Sequence, residues 1–322
     1  MHELVPRPLG RTRLAVTPIG LGLAAVGRPA YITLGRDEDL GGDRGVDAMR
    51  ARSWDVLDAA WAAGVRYLDT ARSYGRAEEF LAGWLDARGI APGTVTVGSK
   101  WGYEYVGGWR LDAGRHEVKD LSAGRLRRQL GETRALLGDH LSLYQIHSAT
   151  VESGVLDDEE VLGLLGGLRA QGVAVGLSTT GPGQAATVDR AVKTGVFDTV
   201  QSTWNLLERS AGDALARAHE AGLGVIVKEG VANGRLTGRA APAALRAAAR
   251  ERGVTPDALA LAAALARPWA TVVLSGAVSA GQLHENLAAA TAAWDDGLDE
   301  ALSRLAEPPE AYWATRGSLP WS

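Results

Sequence analysis

The stretch VRYLDTARSYGRAEEFLAGWL, residues 65–85, places a short apolar, strand-like segment directly before an amphipathic helical pattern. The connection between the two carries Asp69, Tyr74 and Gly75 within seven residues. A segment that only joins a strand to a helix needs turn-forming residues, and nothing obliges it to carry a phenolic hydroxyl. The stretch therefore predicts one βα unit whose loop holds functional side chains.

The same unit recurs along the chain. Apolar, β-branched segments form eight strand candidates: TPIGLGL from residue 17, VRYLD from 65, TVTVGSK from 94, SLYQIH from 142, AVGLS from 174, TVQST from 199, LGVIVK from 223 and TVVLSG from 271. Amphipathic or alanine-rich stretches lie between them, and several end in glycine, as helices tend to. Eight alternating units in 322 residues predict an α/β fold of the (β/α)8 barrel type, which takes about 250 residues plus insertions.

The alternative fold for such a pattern is a doubly wound sheet. Its usual fingerprint is G-x-G-x-x-G after the first strand. The corresponding segment, GLGLAAVGRPAY, has glycines at 20, 22 and 27 and misses that spacing. We therefore expect one barrel domain over residues 1–322. Connections 28–50, 101–121 and 301–322 are longer than usual, and long loops on one barrel face commonly determine specificity.

Composition excludes several classes of function. The chain has 34 basic and 38 acidic residues, a balance that argues against nucleic-acid binding. It has no cysteine, which excludes disulfides, thiolate zinc sites and cysteine nucleophiles, and its histidines show no metal-ligand spacing. No apolar run reaches the roughly 18 residues of a membrane span, and the amino terminus has no apolar signal core. These features predict a cytoplasmic protein without a membrane partner.

The ends of three consecutive predicted strands carry the residues best suited to chemistry. Asp69 and Tyr74 follow the second strand, Lys100 ends the third and His147 ends the fourth. Taken singly, each has an ordinary structural role, such as a turn cap or a packed ring. Together they predict a proton donor for a carbonyl oxygen, because an ammonium lowers a phenol's pKa, a carboxylate holds the ammonium, and a neutral imidazole can bind the same oxygen.

The segments LDTARSYGRAEE, VGSKWG and YQIHSA resemble the catalytic segments of the aldo-keto reductases, and the opening LGRTRLAVTPIGLGLAAVG is similar to that family's first-strand region. The resemblance implies a (β/α)8 barrel that binds NADPH in an extended pose. It also implies hydride transfer between nicotinamide C4 and the carbonyl carbon of an aldehyde, ketone or sugar-type substrate, or the reverse. Asp69, Tyr74, Lys100 and His147 would be the tetrad, with Tyr74 as general acid/base.

The resemblance also implies a set of cofactor contacts. Ser178 and Gln201 fall where the family binds the carboxamide, and Trp204 where an aromatic ring stacks on the nicotinamide. The seventh-strand segment VIVKEGVANGRLTG and the eighth-strand segment LSGAVSAGQLHEN match the regions around the pyrophosphate and the adenosine phosphate. The expected cofactor residues are Ser178, Thr179, Gln201, Trp204, Lys228, Glu229, Val231, Asn233, Arg235, Ser275, Gly276, Ser279, Gln282, Glu285 and Asn286.

The sequence departs from the family pattern at the seventh and eighth strands. Thr179 replaces an asparagine, and Lys228-Glu229-Gly230 replaces an aromatic-Ser-Pro. Ser279 and Gln282 stand where many members have cations for the 2′-phosphate. We therefore expect NADP(H) to be preferred over NAD(H) by a narrow margin set by neutral donors, with Arg235 as a further contact.

Aromatic residues after the third strand, Trp101, Tyr103 and Trp109, are either a substrate wall or loop packing. Two other functions stay open. Lys228 beside Glu229 could form a Schiff base, as in an aldolase. Alternatively, the chain could sense NADP(H) without turnover, although the complete tetrad argues for catalysis on a small-molecule carbonyl or alcohol.

Overall fold

The computed structural model describes residues 4–321. Its centre is a closed barrel of eight parallel strands that follow one another in chain order around the ring, and the eighth strand pairs back to the first, with Val273 opposite Ile19. The strands are β1 (Ile19–Gly22), β2 (Tyr67–Asp69), β3 (Thr96–Trp101), β4 (Leu141–Ala149), β5 (Ala174–Thr179), β6 (Thr199–Thr203), β7 (Gly224–Lys228) and β8 (Val272–Ser275). The predicted (β/α)8 barrel and all eight strand candidates are confirmed.

Helices surround this barrel. In the described chain they are α1 (Arg36–Leu40), α2 (Val46–Ala62), α3 (Ala77–Ala87), α4 (Ala123–Leu137), α5 (Glu159–Ala170), α6 (Gln184–Thr194), α7 (Gly212–Glu220), α8 (Ala243–Glu251), α9 (Pro256–Leu265), α10 (Ala280–Leu287), α11 (Asp296–Ser303) and α12 (Pro309–Gly317). Side-chain caps start several of them: the Ser122 hydroxyl accepts from Arg125 N at α4, and Thr255 accepts from Ala258 N at α9. Within residues 4–321, no helix combines the length and apolarity that a membrane crossing requires.

The amino-terminal end of the barrel is closed by a short hairpin of Arg7–Pro8 with Ala15–Val16. Leu9, in its turn, is fully buried in an apolar cluster that includes Tyr67 and Ile226. Gly10 sits at φ +56°, and a Cβ there would lie 2.2 Å from Gly224 N, so only glycine allows the hairpin to approach the barrel this closely. The hairpin therefore closes the amino-terminal end of the barrel, and we call it the plug.

The three long connections all reach the carboxyl-terminal face of the barrel. Residues 28–50 include α1, and residues 101–121 form a second hairpin, in which Tyr103–Tyr105 pairs with Glu117–Lys119. The carboxyl-terminal segment contributes α12, and Trp321 then forms a β-bridge with Ile32. Side chains from all three connections line the same cleft.

Candidate active site

A cleft of about 610 Å³ opens over the carboxyl ends of the strands. One end contains Asp69, Tyr74 and His147, where strands β2 and β4 deliver their functional side chains. The cleft continues between the connection after β1 and the connection after β7, and it ends at residues of α10, among them Gln282 and Asn286. Functional residues of (β/α)8 barrels collect at this face.

Lys100 connects the predicted catalytic residues. Its Nζ lies 2.5 Å from Asp69 Oδ2, 3.2 Å from the Tyr74 hydroxyl and 3.0 Å from the carbonyl oxygen of Thr70. The Lys100 side chain is completely buried, so the carboxylate that pairs with it also stabilises its charge. The structure therefore brings Asp69, Lys100 and Tyr74 into one hydrogen-bonded chain, as the sequence predicts.

Asp69 is held in place through its second oxygen. Oδ1 accepts hydrogen bonds from the Tyr67 hydroxyl at 3.2 Å and from Gln201 Nε2 at 2.9 Å. Gln201 also lines the cleft, so it touches both the catalytic carboxylate and the space where the cofactor is expected. These bonds fix the carboxylate that orients Lys100.

The Tyr74 phenol retains its proton. Burial and the Asp69 carboxylate raise its pKa well above the usual value of 10.0, and the guanidinium of Arg28 opposes them only in part. Burial and the nearby carboxylates outweigh the cations around the phenol, so the net shift of the Tyr74 pKa is upward. Tyr74 is accordingly a proton donor near neutral pH.

His147 lies beside the phenol. The two rings meet edge to face with centroids 5.5 Å apart, and Nδ1 is 3.4 Å from the Ser73 hydroxyl. Burial lowers the pKa of His147 well below 6.5, and the positive charges of Lys100 and Lys228 lower it further. The imidazole is therefore neutral, as the sequence predicts, and can hydrogen-bond a substrate oxygen.

A second charged group lies at the end of β7. Lys228 Nζ donates to Thr203 Oγ1 at 2.8 Å and lies 3.6 Å from Glu229 Oε1, and Glu229 also pairs with Arg316 at 2.6 Å. Burial lowers the Lys228 pKa to about 8. Burial also disfavours ionisation of Glu229, but the charges of Lys228 and Arg316 outweigh it and lower that pKa to about 2. All three side chains line the cleft.

The distant half of the cleft is lined by the eighth-strand segment that is expected near the adenosine phosphate. Gly276 lines it, and a side-chain carbon placed there would meet no atom within 4 Å, so open space lies directly against the backbone. Asn286 Nδ2 donates to Ser275 Oγ at 2.9 Å, and Val278 N donates to Gln282 Oε1 at 3.0 Å. Val231, Asn233 and Glu285 line the same half of the cleft.

Several residues expected at the cofactor do not line the cleft. Ser178 accepts from Ser148 N at 2.8 Å and Thr179 contacts Ser202 within the barrel, so both hydroxyls are engaged in buried bonds. Arg235 pairs with Glu307 and lies over Tyr312. Ser279 accepts from Gln282 N as the N-cap of α10.

The aromatic ring that was expected to stack on the nicotinamide also lies outside the lining of the cleft. Trp204 is 3% exposed, packs edge to face on Trp269 at 5.7 Å and does not line the cleft. Trp204 follows the last residue of β6, and the core holds its indole between that ring and the guanidinium groups of Arg209 and Arg267. At the end of β7, Lys228 and the residue after it, Glu229, line the cleft.

Only one of the three aromatic residues considered for a substrate wall lines the cleft. Tyr103 lines the cleft, with its ring 5.0 Å from that of His147. Trp101 is completely buried, because it follows Lys100 on β3 and adjacent strand residues point to opposite faces. Trp109 packs on Phe80 and donates to the carbonyl oxygen of Arg44.

Other cleft residues were not anticipated. They come from the long connections and are Arg28, Tyr31, Asp39, Glu117 and Arg316. Trp321 and Arg239 also line the cleft. The length of the connections indicated that loops would shape the site, but nothing local distinguishes these side chains from exposed loop residues.

Comparisons with known proteins agree with this site. Residues 39–298 match the Aldo/keto reductase family. The chain is 26% identical over 316 residues to the uncharacterized oxidoreductase YqkF of Bacillus subtilis, which covers 89% of this chain and 91% of that protein. It is 27% identical over 329 residues to L-galactose dehydrogenase of Arabidopsis thaliana, covering 95% and 94%.

Among solved structures, the holo form of aldo-keto reductase AKR11C1 from Bacillus halodurans superimposes with a TM-score of 0.72 at 23% identity, covering 95% of this chain and 97% of that one. The family match extends over most of the residues that build the barrel and the cleft. The chain belongs to the aldo/keto reductase family.

Proposed function

We propose that this protein is a nicotinamide-dependent oxidoreductase that reduces an aldehyde, ketone or sugar-type carbonyl to the alcohol, or runs the reverse reaction. The observation that carries the proposal is the hydrogen-bonded chain from Asp69 through Lys100 Nζ to the Tyr74 hydroxyl, in a cleft of about 610 Å³. The last step of this chain, from Lys100 Nζ to the hydroxyl, is 3.2 Å. The oxidoreductase relatives and the name of the plant dehydrogenase support the same reaction class.

Each catalytic residue has a distinct part in this reaction. Bound reduced cofactor supplies the hydride to the carbonyl carbon. Tyr74 donates its proton to the carbonyl oxygen as the alcohol forms, and the neutral His147 ring donates a hydrogen bond to that oxygen. Lys100 donates a hydrogen bond to the Tyr74 oxygen, which stabilises the phenolate left behind, and Asp69 keeps Lys100 charged and oriented. In the oxidative direction the Tyr74 oxygen accepts the proton of the alcohol.

Cofactor preference is determined at the distant end of the cleft. Arg239 is a cation there, but its Nη1 and Nη2 bind both oxygens of Asp39 at 2.9 and 2.6 Å, and its Nε lies 3.1 Å from Glu38. Burial and the charge of Glu285 raise the pKa of Asp257 at the same end, as expected of a negative environment. A 2′-phosphate would add negative charge and compete with Asp39 for Arg239. We therefore revise the sequence-based expectation of NADP(H) and propose that NAD(H) binds at least as tightly.

The Schiff-base alternative has one observation in its favour. Lys228 lines the cleft and has a pKa lowered to about 8, which makes its amine more nucleophilic than an ordinary lysine. Its Nζ is, however, bonded to Thr203 and close to Glu229. Borohydride treatment in the presence of a carbonyl substrate, followed by peptide mass spectrometry, distinguishes the two: an adduct on Lys228 supports the aldolase, and its absence supports the oxidoreductase.

The proposal is tested by binding and turnover together. Titration with NADH and NADPH is expected to quench tryptophan fluorescence saturably. A panel of aldehydes, ketones and sugars is expected to oxidise the reduced cofactor, followed at 340 nm. Saturable binding without turnover of any carbonyl would support the sensing function instead, and absence of binding by either cofactor would refute the proposal.

A further inference from the structure

Arg28 has no part in the proton transfer proposed above, yet it lies beside it. The residue is in the connection after β1, it is only 2% exposed, and it lines the cleft. Its guanidinium carbon is 5.5 Å from the centre of the Tyr74 ring, 5.2 Å from that of Tyr31 and 5.0 Å from that of Trp321. Three aromatic rings thus hold a positive charge next to the proton donor.

The hydrogen bonds of this guanidinium are incomplete. Nη1 donates to Glu117 Oε1 at 2.6 Å and to the carbonyl oxygen of Ser73 at 3.1 Å. Nε is buried without a partner, and no hydrogen bond found among residues 4–321 uses Nη2. Buried guanidinium groups normally satisfy most of their five donors, so the two donors of Nη2 are left for a ligand.

The charges around the reactive end favour an anion. Four cationic side chains meet there, Arg28, Lys100, Lys228 and Arg316, against three carboxylates, Asp69, Glu117 and Glu229. Each carboxylate is already paired, and the site retains one positive charge in excess. A substrate carboxylate would neutralise it and would occupy a water-poor environment in which charge-assisted bonds are strong.

We propose that Arg28 is a specificity-determining residue that binds a carboxylate of the substrate. The inference rests on the proposed carbonyl reduction and names its substrate class: an oxo acid in which a short spacer separates the reacting carbonyl from the carboxylate. The carbonyl oxygen of the substrate would bind Tyr74 and His147, and the carboxylate would bind the guanidinium of Arg28 beside them. Arginine suits this role because its planar guanidinium can donate two parallel hydrogen bonds to the two oxygens of a carboxylate.

The test compares each acid with its neutral isostere. Succinic semialdehyde and 4-carboxybenzaldehyde are each assayed beside the corresponding primary amide, which has the same size and no charge. The wild-type protein is expected to have a kcat/KM at least about tenfold higher for the acids. Arg28→Gln is expected to lower kcat/KM for the acids by about 10- to 100-fold, as for the loss of a charge-assisted bond, and to change the amides by less than about threefold.

Two further variants separate recognition from structure. Arg28→Gln leaves Glu117 without its partner, so Arg28→Gln/Glu117→Gln repeats the comparison with the pair removed together. Arg66→Gln is the matched control: Arg66 packs on Trp61 before β2, away from the cleft, and both acid and amide rates are expected to stay unchanged.

The outcomes are distinct. Equal loss for acid and amide in both Arg28 variants would mean that Arg28 only positions Tyr74, and the inference fails. No wild-type preference for the acids overturns it as well, while the proposed carbonyl reduction survives if the amides are turned over. If no carbonyl is reduced at all, the proposed function itself fails.

Discussion

Tyr74 is the residue on which the proposed chemistry depends. Tyr74→Phe removes the proton donor but keeps the ring that packs beside His147 and Arg28. Positioned general acids contribute on the order of 100- to 10,000-fold, so kcat/KM for carbonyl reduction is expected to fall by that factor while the cofactor Kd changes by only a few fold. Steady-state kinetics and fluorescence titration measure both quantities. A variant that keeps more than about a tenth of wild-type kcat/KM would show that another group donates the proton.

His147 gives the site a predictable response to acid. Because burial and neighbouring cations lower its pKa well below 6.5, the imidazole keeps its neutral form to a lower pH than an ordinary histidine. We expect kcat/KM for a neutral aldehyde to show no loss attributable to histidine protonation between pH 7.5 and 6. In Lys228→Met, which removes one of those cations, the His147 pKa is expected to rise, and any acid limb is expected to lie at higher pH than in the wild type. A wild-type acid limb near pH 6.5 would contradict the assignment.

At the scale of single elements, strand alternation explains which site predictions held. Lys100 and Trp101 are neighbours on β3, yet Lys100 reaches the tetrad and Trp101 enters the core, because successive side chains of a strand point to opposite faces. The sequence identified the ends of strands, which is sufficient for residues such as Asp69. It does not identify which face each terminal residue occupies, so the choice between a substrate wall and packing stays open for Trp101 until the structure is known.

The connection after β1 and the connection after β7 meet at the end of the cleft where we propose that cofactor choice is determined. Arg239 from the second is bound by Asp39 from the first, and Gln282 on α10 also lines this end. Asp39→Asn is expected to strengthen NADPH binding by about tenfold, because Arg239 becomes available to the 2′-phosphate, with little change for NADH. Parallel Kd measurements for both cofactors by fluorescence provide the test.

The control for that experiment lies in the same connection. Asp43 is exposed and accepts from the backbone N of Gly45, so Asp43→Asn changes the charge equally without touching Arg239. Both Kd values should then stay near wild type. A wild-type preference for NADPH above about tenfold would overturn the revised expectation and return Arg239 to the role of a phosphate ligand.

At the scale of the whole molecule, the barrel was predictable and the rim of the cleft was not. Eight apolar segments with helical stretches between them predict a closed sheet, because each strand must bury both faces. Arg28, Glu117 and Arg316 come from three different connections, and Arg28 and Arg316 are 288 positions apart in the sequence. Arg28 binds Glu117 and the carbonyl oxygen of Ser73, and Arg316 binds Glu229. Such contacts depend on how long loops fold over the finished barrel, and no periodicity in the sequence encodes them.

The division of the barrel into a stabilising end and a reactive end leads to a final prediction. Leu9 is fully buried at the amino-terminal end, where it fills the cluster around Tyr67 and Ile226, far along the strands from the cleft. Leu9→Ala leaves a cavity and is expected to lower the free energy of unfolding by about 2 to 5 kcal/mol in urea titrations. The folded variant should retain kcat/KM within about twofold, and Val5→Ala, at a residue 68% exposed, should change neither quantity. If Leu9→Ala instead impairs kcat/KM under conditions where circular dichroism shows it folded, the plug is coupled to the active site through the strands, and the two ends are not independent.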